Sequence, residues 1–341
     1  MSARRLLARL TGLWAVLLLA YACGGGSSTS AVAQGGTPVP IKLGVINTPA
    51  LSDLFLLENP PAGLSLQKGK SYTLSTTSFQ SSSDVVQGMA AGSLDAGMVG
   101  SVAILPAIAK GLGVKFLGEA FEERTGYGQS DWMVSTNSGI TSLSQLRGKK
   151  IATLGLGTPL YWIGKSYLQE KAGLVENRDY TFVALPFSVM DKALQSGEVA
   201  MASMVPPYSS QAEAAGNVRT LFRDTDEQNP FVQTLLAVNS DFAAKHPKAV
   251  QALEEDWQKV AEYAADPSHR GAVIAATAAA VKVPASALGF LRTRQDYYYP
   301  PHGMIDATAL QQNWNWYKRV GGSSESFTVT KYLFPGSASD A

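Results

Sequence analysis

The stretch AGSLDAGMVGSVAILPAIAKG, residues 91–111, occurs twice in outline in this chain. Its counterpart, SGEVAMASMVPPYSSQAEAAG, begins 105 residues later and spans residues 196–216. In both stretches an apolar run follows a glycine, a polar or proline break interrupts the run, and another glycine closes the segment 19 residues after the first. A recurring unit of this size indicates duplicated structure rather than an isolated motif.

The similarity extends upstream of both stretches. SYTLSTTSF (71–79) aligns with DYTFVALPF (179–187), and IKLGVINTP (41–49) aligns with IATLGLGTP (151–159). The three pairs of segments keep the same order, at offsets between 105 and 110 residues. We therefore expect two copies of one folding unit.

Each copy predicts the order strand, helix, strand, helix, strand. In the second copy KKIATLGLG (149–157) is apolar, as a buried strand is. Thr158 then suits an N-cap, Pro159 suits the first helical position, and Ser188 suits the cap of the next helix. Strands that alternate with helices form parallel βαβ units with right-handed crossovers. The predicted fold class is therefore α/β, with two lobes of similar topology.

Two extended segments flank the second copy, DWMVST (131–136) and TLLAVN (234–239). We expect them to be the two crossings between the lobes. The chain from His246 onward has mainly helical patterns, and we expect it to return and complete lobe one. The predicted bounds are 40–131 and 236–341 for lobe one, and 132–235 for lobe two.

The N-terminus has the pattern of an export signal. Arg4, Arg5 and Arg9 precede a short apolar run, Leu13–Ala20, which is below the roughly 20 residues of a membrane-spanning helix. Cys23 follows small residues and precedes a Gly/Ser-rich stretch, as the acceptor cysteine of a bacterial lipoprotein does. We predict a signal peptide over 1–22 and a lipidated flexible tether over 23–39.

An ordinary signal peptide, cut after Ala31-Val32-Ala33, is the alternative, and it also implies export. Cys23 is the only cysteine, so the chain forms no intramolecular disulfide.

The composition is that of a globular protein with two ordinary domains. The chain has 341 residues, of which 45% are hydrophobic and 16% charged, so a large core is available and disorder is disfavoured. The formal net charge of +1 gives no electrostatic footprint for nucleic acid, and we expect no nucleic-acid partner.

Four segments together resemble the substrate-binding proteins of ABC importers, in the branch that handles alkanesulfonates, taurine, nitrate and thiamine precursors. The segments are STNSGITSLSQLRGKKIATLGLGTP (135–159), ALQSGEVAMASMVPPY (193–208), AAGSLDAGMVGS (90–101) and DFAAKHPKAVQAL (241–253). The resemblance covers roughly residues 40–320. It implies a two-lobed, type II periplasmic-binding-protein-like fold in which each lobe is a mainly parallel sheet flanked by helices, with two hinge crossings.

The resemblance also implies a function. A small-molecule ligand would bind between the lobes, and an ABC permease with its ATPase would receive it. The ligand would be a small organic anion or polar compound, such as a sulfonate, an aromatic acid or a thiamine precursor. We expect a monomer on the outer face of the cell membrane, held by its lipid, with no cofactor. In lobe two the sequence departs from the family pattern, since Ala200-Met201 stand where Asp-Ala is common.

Ligands of doubly wound sheets bind beyond the carboxyl ends of the strands, near helix N-termini. The corresponding loops here are rich in hydroxyl groups and contain neither Lys nor Arg. The predicted ligand-binding residues of these loops are Asn47, Thr48, Ser81, Ser82, Ser83, Gly100, Ser101, Gly157, Thr158, Phe187, Ser188, Pro207 and Tyr208. Trp132 and Tyr161 are added as aromatic residues that would stack on a ligand. Helix capping is the alternative role for the hydroxyls, and packing is the alternative for the aromatic rings.

An enzyme or a ligand sensor of the same fold is the alternative function. Relatives of this fold include a sulfinate-cleaving enzyme and a thiamine-pyrimidine-forming enzyme. The resemblance to the first would call for a catalytic cysteine, and Cys23 lies on the predicted tether. The three histidines, His246, His269 and His302, are far apart in the sequence, and no Cys/His cluster has zinc spacing. We therefore predict neither catalytic residues nor a metal site.

Overall fold

The computed structural model of the protein describes residues 37–339. The predicted signal peptide, Cys23 and most of the predicted tether lie outside the described residues. Two five-stranded sheets and ten α-helices account for most of the described chain.

The first sheet has the strand order β2-β1-β3-β10-β4. Its strands are β1 (Val39–Ile46), β2 (Tyr72–Phe79), β3 (Ala96–Gly100), β4 (Val114–Glu123) and β10 (Phe231–Asn239). β1 pairs in parallel with β2 and β3, whereas β10 is antiparallel to both β3 and β4. This sheet is the centre of lobe one.

The second sheet repeats this arrangement with the order β7-β6-β8-β5-β9. Its strands are β5 (Asp131–Ser135), β6 (Lys149–Thr153), β7 (Tyr180–Ala184), β8 (Met201–Met204) and β9 (Val218–Arg223). β6 is parallel to β7 and β8, and β5 is antiparallel to β8 and β9. The predicted fold class, two lobes with mainly parallel sheets, is confirmed.

The helices follow the predicted alternation in both copies. The helices of the first half are α1 (Ser52–Glu58), α2 (Ser82–Ala90), α3 (Leu105–Ala109), α4 (Pro159–Ala172), α5 (Phe187–Gln195) and α6 (Tyr208–Ala214). Those of the C-terminal part are α7 (Ser240–Lys245), α8 (Pro247–Ala265), α9 (Arg270–Val281) and α10 (Ala307–Arg319). α8 and α9 pack on α1, and α10 packs on β10 of the first sheet.

The two expected crossing segments are strands inside the sheets. DWMVS forms β5 of the second sheet, and TLLAVN is part of β10 of the first sheet. The chain instead passes between the sheets in residues 124–130 and 224–230. The physical reason is burial: nearly every residue of β10 is buried, so this apolar strand needs a neighbour on each side. The bound that we placed between residues 235 and 236 consequently falls within a strand of lobe one.

A buried arginine fastens the segment after α9 to the first helix of lobe one. The Arg292 guanidinium donates to Ser52 Oγ at 3.0 Å and to the Asp53 carboxylate. It also lies 3.6 Å from the centre of the Tyr299 ring. This ion pair holds the aromatic segment around Tyr297 under the loops that follow β1.

Candidate functional site

The loops at the carboxyl ends of the parallel strands face each other across the interface of the two lobes. Ser83 of lobe one donates a hydrogen bond from Oγ to the carbonyl oxygen of Leu156 in lobe two, at 3.1 Å. Two glycines allow the close approach. A Cβ added at Gly100 would lie 2.7 Å from Pro159 Cδ, and one added at Gly155 would lie 2.8 Å from Ser81 Cβ. The two lobes are therefore closed upon each other.

A glutamate also joins the lobes at one side of this interface. Glu227 Oε1 accepts hydrogen bonds from Ser166 Oγ of α4, at 2.6 Å, and from Trp316 Nε1 of α10, at 2.8 Å. Next to this bridge the rings of Trp162 and Tyr317 meet edge to face, with centroids 5.0 Å apart. One carboxylate of the second crossing thus contacts both lobes at once.

A cavity of about 50 Å³ lies between the lobes on the side of the crossings, and we name it the hinge-side compartment. Both lobes and the ends of both crossings contribute to its wall. Its lining residues are Ile46, Thr48, Ala50, Ser82, Gly100, Phe121, Ser130, Leu154, Thr158, Pro159, Leu160, Phe187, Val205, Gln233, Thr234 and Tyr297. Lobe two supplies mainly apolar surface, whereas most of the polar side chains come from lobe one and the crossings.

A second cavity of about 210 Å³ lies toward the exposed rim, and we name it the rim-side compartment. Its lining residues are Ile46, Asn47, Thr48, Phe79, Gln80, Leu154, Pro186, Phe187, Ser188 and Tyr208. The two compartments share Ile46, Thr48, Leu154 and Phe187. The rings of Phe187 and Tyr208 are roughly parallel, 6.3 Å apart at 28°. The two compartments together form one candidate site, with a narrow end at the crossings and a wider end at the rim.

Eight of the predicted ligand-binding residues line these compartments. They are Asn47, Thr48, Ser82, Gly100, Thr158, Phe187, Ser188 and Tyr208. Gly100 is the last residue of β3, and each of the others lies in a loop or at a helix start beyond the carboxyl end of a strand. The carboxyl ends of the strands thus bring a connected group of predicted residues together, and their contact with a ligand stays a prediction.

Three of the predicted residues are buried and lie outside the linings of both compartments, so their contact with a ligand stays a prediction. Trp132 is fully buried, stacks on Phe222 at 5.3 Å and donates from Nε1 to Asp224 at 2.7 Å. The hydroxyl of Tyr161 donates to Glu176 at 2.6 Å. Ser101 is fully buried, and its carbonyl oxygen accepts a hydrogen bond from Trp314. For the two aromatic residues, packing is the role that their apolar surroundings favour.

The remaining predicted residues also lie outside the linings of the two compartments. Ser81 caps α2 and contacts Gly155 across the interface, while Ser83 bonds Leu156 and lies near Gly157. Pro207 immediately precedes α6. These residues belong to the lobe contact or to helix starts rather than to the cavity wall.

At the starts of α2 and α4 a side-chain cap takes one N–H group of the first turn, that of Asp84 in α2 and that of Tyr161 in α4. In α2, the Ser81 hydroxyl and N–H both donate to the Asp84 carboxylate, at 2.9 and 3.1 Å, in a capping box. In α4, Thr158 Oγ1 accepts from the Tyr161 N–H, and Pro159 has no N–H to offer. α5 begins at Phe187 after Pro186, so the prediction that Ser188 caps this helix is wrong. These helix starts therefore offer less to an anion than the sequence suggested.

Sequence analysis missed the residues of β4, β10, the first crossing and the segment after α9 that form the floor of the hinge-side compartment. They are Phe121, Ser130, Gln233, Thr234 and Tyr297. None belongs to the repeated loops on which the prediction was based. Only the pairing of β4 and β10 brings residues of the 120s and 230s together, and no short sequence motif indicates this pairing.

Two buried carboxyl groups lie directly behind this floor. Glu123 Oε1 accepts from Ser130 Oγ at 2.6 Å and from Gln233 Nε2 at 2.8 Å. Asp224 Oδ1 accepts from Trp132 Nε1 at 2.7 Å, and its Oδ2 accepts from the same Gln233 Nε2 at 3.4 Å. One amide group thus bridges an acid of lobe one and an acid of the second crossing.

Burial shifts the pKa of both acids upward. Loss of hydration raises the pKa of Glu123 to about 7, although its hydrogen bonds to Ser130 and Gln233 act in the opposite direction. Burial raises the pKa of Asp224 well above its usual value, and the neighbouring Glu123 carboxyl adds to this effect. Two buried acids that share one amide favour a state in which a proton is retained between them.

A larger groove of about 1070 Å³ lies mainly on lobe one, between α2, α3 and α7. Charged residues of both signs line it, namely Asp95, Lys110, Asp241 and Lys245. Only Gly157 and Trp162 reach it from lobe two. It lies beside the lobe interface rather than at its centre, so we place the candidate site in the two compartments.

Within residues 37–339 no three His, Cys, Asp or Glu side chains are grouped so that they could hold a metal ion. Over the same residues, none of the helices has both the length and the apolar character that spanning a bilayer requires.

Several solved structures share this fold across nearly the whole chain. The alkanesulfonate-binding protein SsuA from Xanthomonas axonopodis pv. citri, bound to MOPS, has a TM-score of 0.69 and 17% identity, over 88% of this chain and 99% of that one. The aliphatic sulphonate binding protein SsuA from Escherichia coli has a TM-score of 0.64 and 20% identity, over 88% and 99%. The nitrate-binding protein NrtA from Synechocystis PCC 6803 has a TM-score of 0.67 and 14% identity, over 87% and 86%.

No curated protein sequence matches the chain. At these identities the structural neighbours show a common two-lobed architecture. A sequence model described as NMT1/THI5 like matches residues 76–269, which is more than half of the chain and includes the whole second sheet. The chain therefore belongs to the NMT1/THI5-like family.

Proposed function

We propose that the protein is an exported solute-binding lipoprotein of an ABC importer. The observation that carries this proposal is a cavity whose wall is built by both lobes, directly beside the two segments that cross between them. A ligand that contacts both walls favours the closed arrangement over an open one by its differential affinity, which is how a two-lobed binding protein signals occupancy.

The structural neighbours support the same function. They include proteins named for binding alkanesulfonates and nitrate, and a ligand-binding component of an ABC-type import system from Staphylococcus aureus. For this chain we propose a small organic compound as the ligand, of the sulfonate, aromatic acid or thiamine-precursor type. An ABC permease would then recognise the closed form, and its ATPase would supply the energy of transport.

Two measurements test ligand capture. Mass spectrometry of small molecules that are released on denaturation should identify a compound that co-purifies with the protein. Adding that compound back to stripped protein should decrease the radius of gyration in small-angle X-ray scattering, and the compound should be recovered unchanged. Conversion of the compound would favour an enzyme, and the absence of both a bound compound and any closure would exclude solute capture.

The lipid anchor is a separate part of the proposal, based on Cys23 and the export pattern before it. Cys23→Ser should remove the site of acylation, so the protein should move from the membrane fraction to the soluble exported fraction. The measurement is fractionation followed by immunoblotting. Persistence of Cys23→Ser in membranes would contradict the lipid anchor, whereas an unmodified protein that is already in the soluble exported fraction would favour the alternative cut after Ala33.

A further inference from the structure

We infer that the hinge-side compartment accepts a ligand group that donates hydrogen bonds, such as a protonated amine, an amidine or the N–H edge of an amino-heterocycle, in preference to a sulfonate or carboxylate. This inference rests on the proposed capture of a solute in the cleft and makes its ligand class more specific. It is carried by the hydrogen bonds of the cavity floor.

Gln233 determines the polarity of that floor. Its Nε2 donates to Glu123 at 2.8 Å and to Asp224 at 3.4 Å, so these two carboxyl groups take both amide hydrogens. The side chain lines the cavity and is 6% exposed. Among the described residues no donor bonds its Oε1. The atom that Gln233 has left for a ligand is therefore an acceptor.

Ser130 has the same polarity. Its single hydroxyl proton is donated to Glu123 Oε1 at 2.6 Å, and the residue is 1% exposed while it lines the cavity. Its Oγ therefore offers a ligand only lone pairs, which accept hydrogen bonds. Thr158 Oγ1 likewise donates its proton, to the carbonyl oxygen of Gly155 at 2.7 Å. The other hydroxyls of the lining can either donate or accept, namely those of Thr48, Ser82, Thr234 and Tyr297, so the groups with a fixed polarity set the preference.

The charges near the compartment act in the same direction. Among the described residues, neither compartment has a lysine or arginine in its lining. The carboxyl groups of Glu123 and Asp224 lie behind the floor, in a region where water does not screen them. A bound anion would lie against hydrogen-bond acceptors and acidic groups. A cationic donor would instead donate to those acceptors and balance the negative charge of the acids. At the start of α2 the Asp84 carboxylate offsets the positive end of the helix, and at the start of α4 Thr158 Oγ1 takes the Tyr161 N–H.

The rim-side compartment suits the remainder of such a ligand. Its wall is aromatic at Phe79, Phe187 and Tyr208, and its edges are polar at Asn47 and Gln80. A flat ring would stack there with its donor group directed toward Gln233. Phenyl compounds that differ only in the head group are therefore suitable probes.

The probes are benzamidine and benzylamine as cationic donors, and benzoate and benzenesulfonate as anions of similar size. Affinity is measured by isothermal titration calorimetry with stripped full-length protein, and lobe closure by X-ray scattering. We expect both cations to bind at least roughly tenfold more tightly than both anions, since a charged hydrogen bond is gained in one case and repulsion in the other. We also expect a proton to be released to the buffer when a cation binds.

Two variants test whether the acids are responsible. Glu123→Gln and Asp224→Asn keep the shape of each side chain and remove its charge, and Glu213→Gln on the exposed surface of α6 is the control. At least one of the two buried variants should fold, and it should lose roughly tenfold in affinity for benzamidine and the proton release with it. The control should behave as the unmodified protein does.

Tighter binding of benzoate or benzenesulfonate, binding of none of the four probes, or unchanged benzamidine affinity in the folded variants would each overturn the inferred ligand class. These results differ from a failure of the proposed function. If an anion binds and closes the lobes, solute capture stands and only the ligand class is wrong. If neither a co-purified compound nor any probe closes the lobes, solute capture itself fails.

Discussion

At the scale of single residues, the protein maintains buried acids where its two crossings begin and end. Glu123 and Asp224 are fully buried, and one amide from Gln233 bonds both. Because a buried carboxylate without a cation costs about 3 kcal/mol or more, the pair is expected to retain one proton between its two carboxyl groups near neutral pH. Glu122 is also buried, and burial raises its pKa to about 7 although Arg124 opposes this.

These acids predict that stability falls as the pH rises. The pKa of Glu123 is raised to about 7 in the folded protein, so the folded state binds a proton that the unfolded state has already released above its ordinary pKa. The stabilisation is present at low pH and is lost as the pH rises through 7. The midpoint of thermal unfolding should therefore decrease between pH 5 and pH 8.

Glu123→Gln tests the origin of that slope. The variant should show a smaller decrease of the unfolding temperature over the same pH range, because it no longer loses a proton at this position. Glu213→Gln should retain the full slope. If the unfolding temperature decreases equally in the unmodified protein, Glu123→Gln and Glu213→Gln, the pH dependence belongs to other groups.

At the scale of elements, the two copies in the sequence are two equivalent sets of strands. The strands β1 to β4 of the first sheet correspond, in that order, to the strands β6 to β9 of the second sheet. Each sheet then receives its antiparallel strand from the segment that follows the fourth strand of the other. The repeat was visible in the sequence because each copy must build the same buried strands and capped helices. The exchanged strands β5 and β10 have no counterpart in that pattern and were mistaken for crossings.

The helix starts of α4 and α5 give a matched pair of predictions. Thr158→Ala removes the acceptor for the Tyr161 N–H, and loss of such an N-cap costs about 0.5–2 kcal/mol of unfolding free energy. Ser188→Ala should change that free energy by less than about 0.5 kcal/mol, because no side chain caps α5 in the described chain and Ser188 is exposed. Urea denaturation of both variants measures the difference, and equal losses would contradict the assignment of the cap.

At the scale of the whole molecule, the contact between the lobes depends on groups that nearly touch. Gly100 of β3 faces Pro159 of α4, and Glu227 bonds Ser166 and Trp316 from opposite lobes. Since these contacts form only when the lobes meet, they stabilise the closed arrangement selectively. Ligand affinity is therefore coupled to residues outside the cavity.

Gly100→Ala should shift the protein toward an open arrangement. The added Cβ would lie 2.7 Å from Pro159 Cδ and 2.9 Å from Ser82 Oγ, and separation of the lobes relieves the contact with Pro159. We expect a larger radius of gyration, native circular dichroism and an apparent affinity for the co-purified compound that is weaker by on the order of tenfold.

Gly271→Ala is the control for this change, since a Cβ there meets no atom within 4 Å and alanine suits the interior of α9. It should leave both the radius of gyration and the affinity unchanged. A Gly100→Ala protein with the dimensions of the control would show that the lobe contact adjusts without opening.

By itself, the sequence determined the two α/β lobes, the order of their strands and helices, and the loops at which a ligand would bind. These features follow from local patterns, namely apolar strands, capped helix starts and glycines, which each copy repeats. Only the tertiary structure decided which strands are exchanged, and which residues form the floor of the cavity. Strand pairing brings together four residues that lie outside the repeated loops, namely Gln233, Ser130, Glu123 and Asp224. The hydrogen-bonding polarity of the site is a property of that assembly, because it depends on which donors the neighbouring acids have already taken.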